Sequence, residues 1–203
     1  MHPFLKLAYT VLLCLLASLN LTTVSLGDDR TIDQPNVVIY LSDDHSQFDC
    51  ELYGAEDIPT PNFKKLAADG MMFTHAFVAS PSCAPSRAAM LTGLMPARNG
   101  AEANHTYPKD GTHYLLDDLK KAGYEVAAFG KVAHGKKHGA PFDHAKPGAS
   151  YQQLQINVAQ FLESRESTKP LCLFVGISNP HVPWPKESSF DPCLLYTSDA
   201  ADE

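Results

Sequence analysis

The apolar residues of this chain fall into short unbroken runs separated by stretches with helical spacing. Asn36-Val37-Val38-Ile39-Tyr40-Leu41 is continuous and rich in β-branched side chains, which suits a strand of a parallel sheet covered on both faces. Thr60-Pro61 follows as a cap with proline in the first helical position; Phe63, Leu66 and Ala67 share a face, and Gly70 is placed to stop the helix. Met71 to Ala79 reads as a second extended segment. Thr112 is placed to cap a helix with Leu115, Leu116 and Leu119 on one face and Lys120-Lys121 in its last turn. Gly123 ends that helix, and Tyr124 to Phe129 is the next strand. Tyr151 to Ser164 carries Leu154, Val158, Phe161 and Leu162 at helical spacing, and Leu171 to Ile177 is a further buried strand. Strands alternating with helices predict βαβ units and an α/β fold with a mainly parallel central sheet.

Ahead of the first strand, Lys6 precedes an apolar run from Leu7 to Leu16, then small and polar residues up to Ser25-Leu26-Gly27. That order of charge, apolar core and small residues predicts a signal peptide over 1–27, cleaved near Gly27-Asp28. The run is short for a bilayer span, so no stable membrane anchor is expected, and the mature protein is expected to be secreted or periplasmic. At 203 residues the chain has room for one medium domain or a piece of a larger one. The formal charge of −7 argues against a nucleic-acid partner. It leaves room for an anionic substrate in a local cationic pocket. Of the cysteines, Cys14 leaves with the leader. Cys50, Cys83, Cys172 and Cys193 form no CxxC pair, and Cys172 reads as a packed small hydrophobe.

The polar residues with chemical potential follow the strands. Asp43-Asp44 comes after the first, Lys131 and His134 after the strand ending at Phe129, and His181 after the strand ending at Ile177. Ligands of open α/β sheets collect at the carboxyl ends of the strands, so these groups are expected along one edge. Between them lies Cys83-Ala84-Pro85-Ser86-Arg87. Pro85 can start a helix, which puts Cys83 at an N-terminal end that favours anions, with Arg87 one turn on along the same face.

Cys83-Ala84-Pro85-Ser86-Arg87, with Leu91-Thr92-Gly93 after it, resembles the C-x-P-S-R signature of the type I sulfatases. Asp43-Asp44, with Tyr53-Gly54 further on, resembles that family's metal-binding opening. Gly130-Lys131-Val132-Ala133-His134-Gly135 matches its G-K-x-x-H form, and Asn179-Pro180-His181-Val182-Pro183-Trp184 resembles its P-H-x-P segment. The resemblance runs from Asn36 to about Pro192 and implies the N-terminal part of an alkaline-phosphatase-like sandwich. By resemblance, a maturation enzyme oxidises Cys83 to formylglycine, whose hydrate supplies the attacking oxygen and later expels sulfate by reforming its carbonyl. The resemblance also implies that Asp43 and Asp44 bind a divalent cation that touches the residue-83 nucleophile and a sulfate oxygen. Hard oxygen ligands suit Ca²⁺, with Mg²⁺ as the alternative, better than zinc. The same resemblance implies that Arg87 joins the catalytic set, that Lys131 would neutralise the sulfate, that His134 would orient the hydrate or accept its proton, and that His181 would protonate the leaving oxygen or contact the sulfate. His45 is read as a supporting or structural residue. His75, His105, His113, His138 and His144 match no motif and are read as structural or surface residues, and Asn104-His105-Thr106 as a glycosylation sequon if the source is eukaryotic.

The implied reaction is hydrolysis of a sulfate ester, or of an N-sulfate, on a sulfated small molecule or glycan. The lysine–histidine spacing is similar to that of the iduronate- and heparan-type sulfatases, which favours a glycan. A phosphonate or phosphodiester hydrolase of the same superfamily is the alternative enzyme, and an inactive sulfated-glycan-binding homologue the alternative of another class. The family's later metal ligands and second lysine have no counterpart before Pro192, so 28–192 is expected to be an N-terminal part of the catalytic domain, inactive alone. Cys193 to Glu203 back-translates to a sequence closely resembling a transposase adapter, and is expected to be adapter read-through rather than protein.

Overall fold

The computed structural model describes residues 34–56, 58–134, 140–148 and 150–182. The expected leader, His138, Pro183-Trp184 and the tail from Cys193 lie outside these residues. Four strands form one parallel sheet: β1 (Val37–Asp43), β2 (Glu125–Gly130), β3 (His144–Lys146) and β4 (Leu171–Pro180). Their order across the sheet is β1-β4-β2-β3. The helices are α1 (Pro61–Ala68), α2 (Cys83–Thr92), α3 (Pro96–Asn99), α4 (Leu115–Lys121) and α5 (Tyr151–Ser164). Among the described residues no helix is long and apolar enough to cross a membrane.

The alternation of side chains along each strand divides the core between the two faces of the sheet. Val126 and Ala128 of β2, with Cys172 and Phe174 of β4, face Leu91 of α2 and Leu116 of α4. Ala127 and Phe129, with Leu171 and Leu173, face Leu154, Val158 and Phe161 of α5. The fold is thus a helix–sheet–helix sandwich, in agreement with the parallel α/β reading. α5 is capped by Ser150, whose hydroxyl accepts the N–H of Gln153 at 3.3 Å; Leu154, Val158 and Phe161 of its expected apolar stripe lie over β2 and β4, whereas Leu162 is left largely exposed.

That placement leaves β1 half covered. Val37, Ile39 and Leu41 pack into the first core, whereas Val38 is 65% and Tyr40 48% exposed. The expectation of a strand buried on both faces therefore holds for β2 and β4, but not for β1 among the described residues. α1 shows the same: it starts at Pro61 as expected, although the Thr60 side chain makes no capping bond, yet Leu66 is 70% exposed, and the Phe63 ring lies near those of Tyr40 and His45.

Met71 to Ala79, expected to be extended, carries no strand. Its bulky residues suit a pleated surface, but a strand also needs a neighbouring ladder, and none of the described strands pairs with it. α4 starts at Tyr114 rather than at Thr112. The Thr112 hydroxyl donates instead to the Lys109 carbonyl at 2.7 Å, while the Asp117 carboxylate accepts the N–H of Tyr114 at 2.9 Å.

Candidate active site

The carboxyl ends of β1, β2 and β4 and the opening turn of α2 deliver the chemically able residues. β1 ends at Asp43, which is 3% exposed, and Asp44 turns the chain with a left-handed φ of 57°. β2 ends at Gly130, whose φ of 77° permits the turn into Lys131. There the main chain runs very close to β4: the Lys131 N–H donates to the Gly176 carbonyl at 2.9 Å. A Cβ at Gly130 would collide with that carbonyl, and one at Gly176 with the carbonyl of Lys131. The two glycines let the Lys131 turn lie against the end of β4.

α2 presents Cys83 in its first turn, where helix N–H groups have no partner within the helix. Ser82 precedes it, and its buried Oγ has no hydrogen-bond partner among the described residues. One turn on, Arg87 is 7% exposed inside the fold. Its guanidinium donates from Nη2 to Asp43 Oδ1 at 2.9 Å and from Nη1 to the Lys131 carbonyl. The Lys131 ammonium pairs with the other carboxylate oxygen of Asp43. Two cations from different elements thus close on one carboxylate. The fork of Arg87 reaches two acceptors at once, which a lysine would not do.

The Cys83 thiol has two near partners. It donates to Asn104 Oδ1 at 3.1 Å and lies 3.8 Å from Nδ1 of His134. Burial first, and then the neighbouring His105, Lys131 and Arg87, hold the His134 imidazole below its usual pKa, so its neutral form is favoured. His181 stands apart from this group, with Nε2 3.7 Å from Asp44 Oδ2.

Each site residue expected from the sequence thus has a definite place. Arg87, Asp43 and Lys131 form one cluster, Cys83 and His134 a second linked through the same helix and loop, and Asp44 with His181 a third. His45 sits in a supporting contact, its Nε2 3.3 Å from the carbonyl of Asp49. Asp43, Asp44, Cys83 and Arg87 line one open cleft of about 740 Å³.

Asp43 and Asp44 offer hard carboxylate oxygens beside Cys83, donors that fit Ca²⁺ or Mg²⁺. They supply part of a coordination shell: among the described residues no group of three or more His, Cys, Asp or Glu side chains is arranged to hold a metal.

Two residues next to the site were read otherwise from sequence. Asn104, a glycosylation acceptor by sequence only if the source is eukaryotic, accepts the Cys83 thiol. His105, read as structural or surface, places Nδ1 2.7 Å from Nε2 of His134. Three other unassigned histidines have their own partners: His75 Nδ1 lies 3.0 Å from Thr74 Oγ1, His113 pairs with Asp118 at 2.8 Å, and His144 with Glu125 at 2.8 Å.

Comparison with known proteins places the chain in a family. Residues 35–193 match the Sulfatase family. The chain is 35% identical over 155 residues to the ulvan-active sulfatase of Formosa agariphila, covering 73% of this chain and 31% of that protein. It is 40% identical over 125 residues to the N-acetylgalactosamine-6-sulfatase of Rattus norvegicus, covering 52% of this chain and 24% of the relative. A solved structure of a protein in complex with its substrate D-glucosamine-2-N,6-O-disulfate superposes with a TM-score of 0.66 at 26% identity, covering 75% of this chain and 36% of that one. The chain therefore spans about a quarter to a third of the length of these relatives. With the family match extending over most of its length and the alkaline-phosphatase-like α/β core in place, the chain belongs to the sulfatase family.

Proposed function

We propose that the protein to which this chain belongs hydrolyses sulfate groups on a sulfated glycan, with Cys83 as the precursor of its nucleophile. The observation that carries this reading is the convergence of Arg87 and Lys131 on Asp43, beside the helix end that presents Cys83. A sulfate ester is a compact anion, so cations held beside the nucleophile would neutralise the sulfate oxygens as the sulfur is attacked. Arg87 is locked in place by its buried ion pair. Lys131, paired with Asp43 but 20% exposed, is the cation that would turn to meet the substrate from the strand end.

Oxidation of Cys83 to formylglycine by a maturation enzyme would supply a hydrate oxygen as the attacking group. His134, with Nδ1 3.8 Å from the Cys83 thiol, would accept a proton from that hydrate as a neutral imidazole. His181, held near Asp44, is the candidate to deliver a proton to the leaving oxygen. Asp43 and Asp44 would hold a Ca²⁺ ion, or Mg²⁺ in its place, whose charge would help to neutralise the bound sulfate. The names of the relatives support a sulfated glycan as substrate, and the glucosamine disulfate complex supports a sugar carrying an N- or 6-O-sulfate.

An apolar leader over 1–27 supports export, so secretion or a periplasmic location belongs to the same proposal. N-terminal sequencing of exported protein should find a start near Asp28, and a retained Met1 would contradict it. The reaction itself is tested by paired assays of the matured full-length protein on a sulfated glucosamine and on an aryl phosphodiester. Sulfate release should dominate; turnover of the phosphodiester alone would replace this reading with that of a phosphodiesterase. Mass spectrometry of the peptide spanning Ser82–Arg87 should show the aldehyde at residue 83.

A further inference from the structure

His105 matches none of the motifs that carry the proposed chemistry, yet its ring touches a residue that does. Its Nδ1 lies 2.7 Å from Nε2 of His134, and the ring centroids are 4.7 Å apart. The other nitrogen of His134, Nδ1, faces the Cys83 thiol at 3.8 Å. One ring nitrogen of His134 is thus turned to the reacting residue and the other to His105. The torsion that rotates an imidazole about its stem is broad, so a partner on the far nitrogen decides where the near one points.

The loop around His105 is built to hold it there. The Thr106 hydroxyl donates to the Ala103 carbonyl at 2.5 Å and accepts the Ala103 N–H at 3.2 Å. Asn104 Oδ1 accepts both the His105 N–H and the Cys83 thiol, each at 3.1 Å. Within this turn His105 adopts a left-handed φ of 61°. That conformation costs a residue with a side chain about 1–2 kcal/mol, a strain that glycine avoids. The strained backbone delivers the imidazole to His134 and joins it, through Asn104, to the same thiol.

We propose that His105 is a positioning residue: it sets the ring plane of His134 so that Nδ1 stays aimed at the nucleophile formed from Cys83. Among the described residues no hydrogen bond joins His105 to Cys83, and His105 acts through His134. The proposal rests on the sulfatase reading, and its test separates the two.

The experiment compares unsubstituted, His105→Gly and His105→Asn forms of the matured full-length protein. Glycine adopts a φ of 61° without strain, so His105→Gly should unfold at the same or a higher temperature. Its kcat should fall about tenfold to a hundredfold, with KM changed less than about twofold. Asparagine tolerates the same backbone and sets its amide near the place of Nδ1, so His105→Asn should recover most of the lost kcat. The ring-nitrogen NMR shifts of His134, read without substrate in protein labelled at histidine, should move in the glycine variant and return toward the original values in the asparagine one. Unchanged kcat and unchanged His134 shifts in His105→Gly would overturn the proposal, as would a loss confined to KM. If the unsubstituted protein releases no sulfate, the sulfatase reading fails separately, and the NMR comparison still decides whether His105 sets His134.

Discussion

Arg87 Nη2 meets Asp43 Oδ1 at 2.9 Å, with the two side chains 8% and 3% exposed. The end of β1 is thereby joined, out of reach of water, to the helix that carries Cys83. A buried pair of this kind stabilises little relative to an apolar replacement, but removing one partner strands the other's charge.

Arg87→Ala should therefore destabilise the fold by about 3–5 kcal/mol. Arg87→Lys should recover only part of that, because a single ammonium does not span both Asp43 and the Lys131 carbonyl as the guanidinium fork does. Urea unfolding of the three proteins at neutral pH measures both differences. Equal stability of the arginine and lysine forms would show that the second contact of the fork is unimportant.

Gly176→Ala should disturb the site without touching a charged group. The added Cβ would collide with the Lys131 carbonyl, and neither strand backbone can yield without shifting the turn after β2. A loss of about 1–3 kcal/mol in stability is expected, together with a fall in kcat/KM from displacement of Lys131. Thermal unfolding and sulfate release measured on the same preparation check the two effects. Full activity in this variant would mean that the turn accommodates the methyl group.

At the opposite end of the sheet, Glu125 supplies a pH dependence. Burial pushes its carboxyl up, but hydrogen bonds from Arg165, Ser167 and His144 outweigh this and hold it below the usual glutamate range. A carboxyl depressed by folding adds stability that is present above its unfolded pKa and is lost as pH falls through the folded one. Glu125→Gln should cost about 1–3 kcal/mol at neutral pH and flatten the stability profile on the acid side. Unfolding midpoints taken from pH 7 down through the carboxylate range give the comparison. Parallel profiles for the two proteins would contradict the assignment.

The sheet was legible where local pattern and tertiary environment agree. Tyr151 to Ser164 shows its helical stripe in the sequence, and α5 occupies those residues with Leu154, Val158 and Phe161 over β2 and β4, while Leu162 stays 48% exposed. β3 was not legible: His144-Ala145-Lys146 contains no apolar run and becomes a strand only by pairing with Ala127 to Phe129. The exposed face of β1 was not legible either, since its unbroken apolar run does not say which neighbours lie over it. The motif residues of the site could be placed because each follows a strand or opens a helix, positions that topology alone brings to one edge. His105 could not, because its partner is 29 residues away and the contact depends on a backbone turn that a histidine seldom adopts. An Asn-His pair in a loop is, in sequence, simply a polar turn.

The most direct test of the central claim is the release of inorganic sulfate from N- and 6-O-sulfated glucosamine by the matured full-length protein, measured beside its Cys83→Ala variant. Cys83 lies in the first turn of α2, and the chemistry assigned to Arg87, Lys131 and His134 is arranged around it. The unsubstituted protein should release sulfate, and Cys83→Ala should lose the activity by about a thousandfold or more while keeping its unfolding temperature. Sulfate release undiminished in Cys83→Ala, or none from the matured unsubstituted protein, would contradict the account.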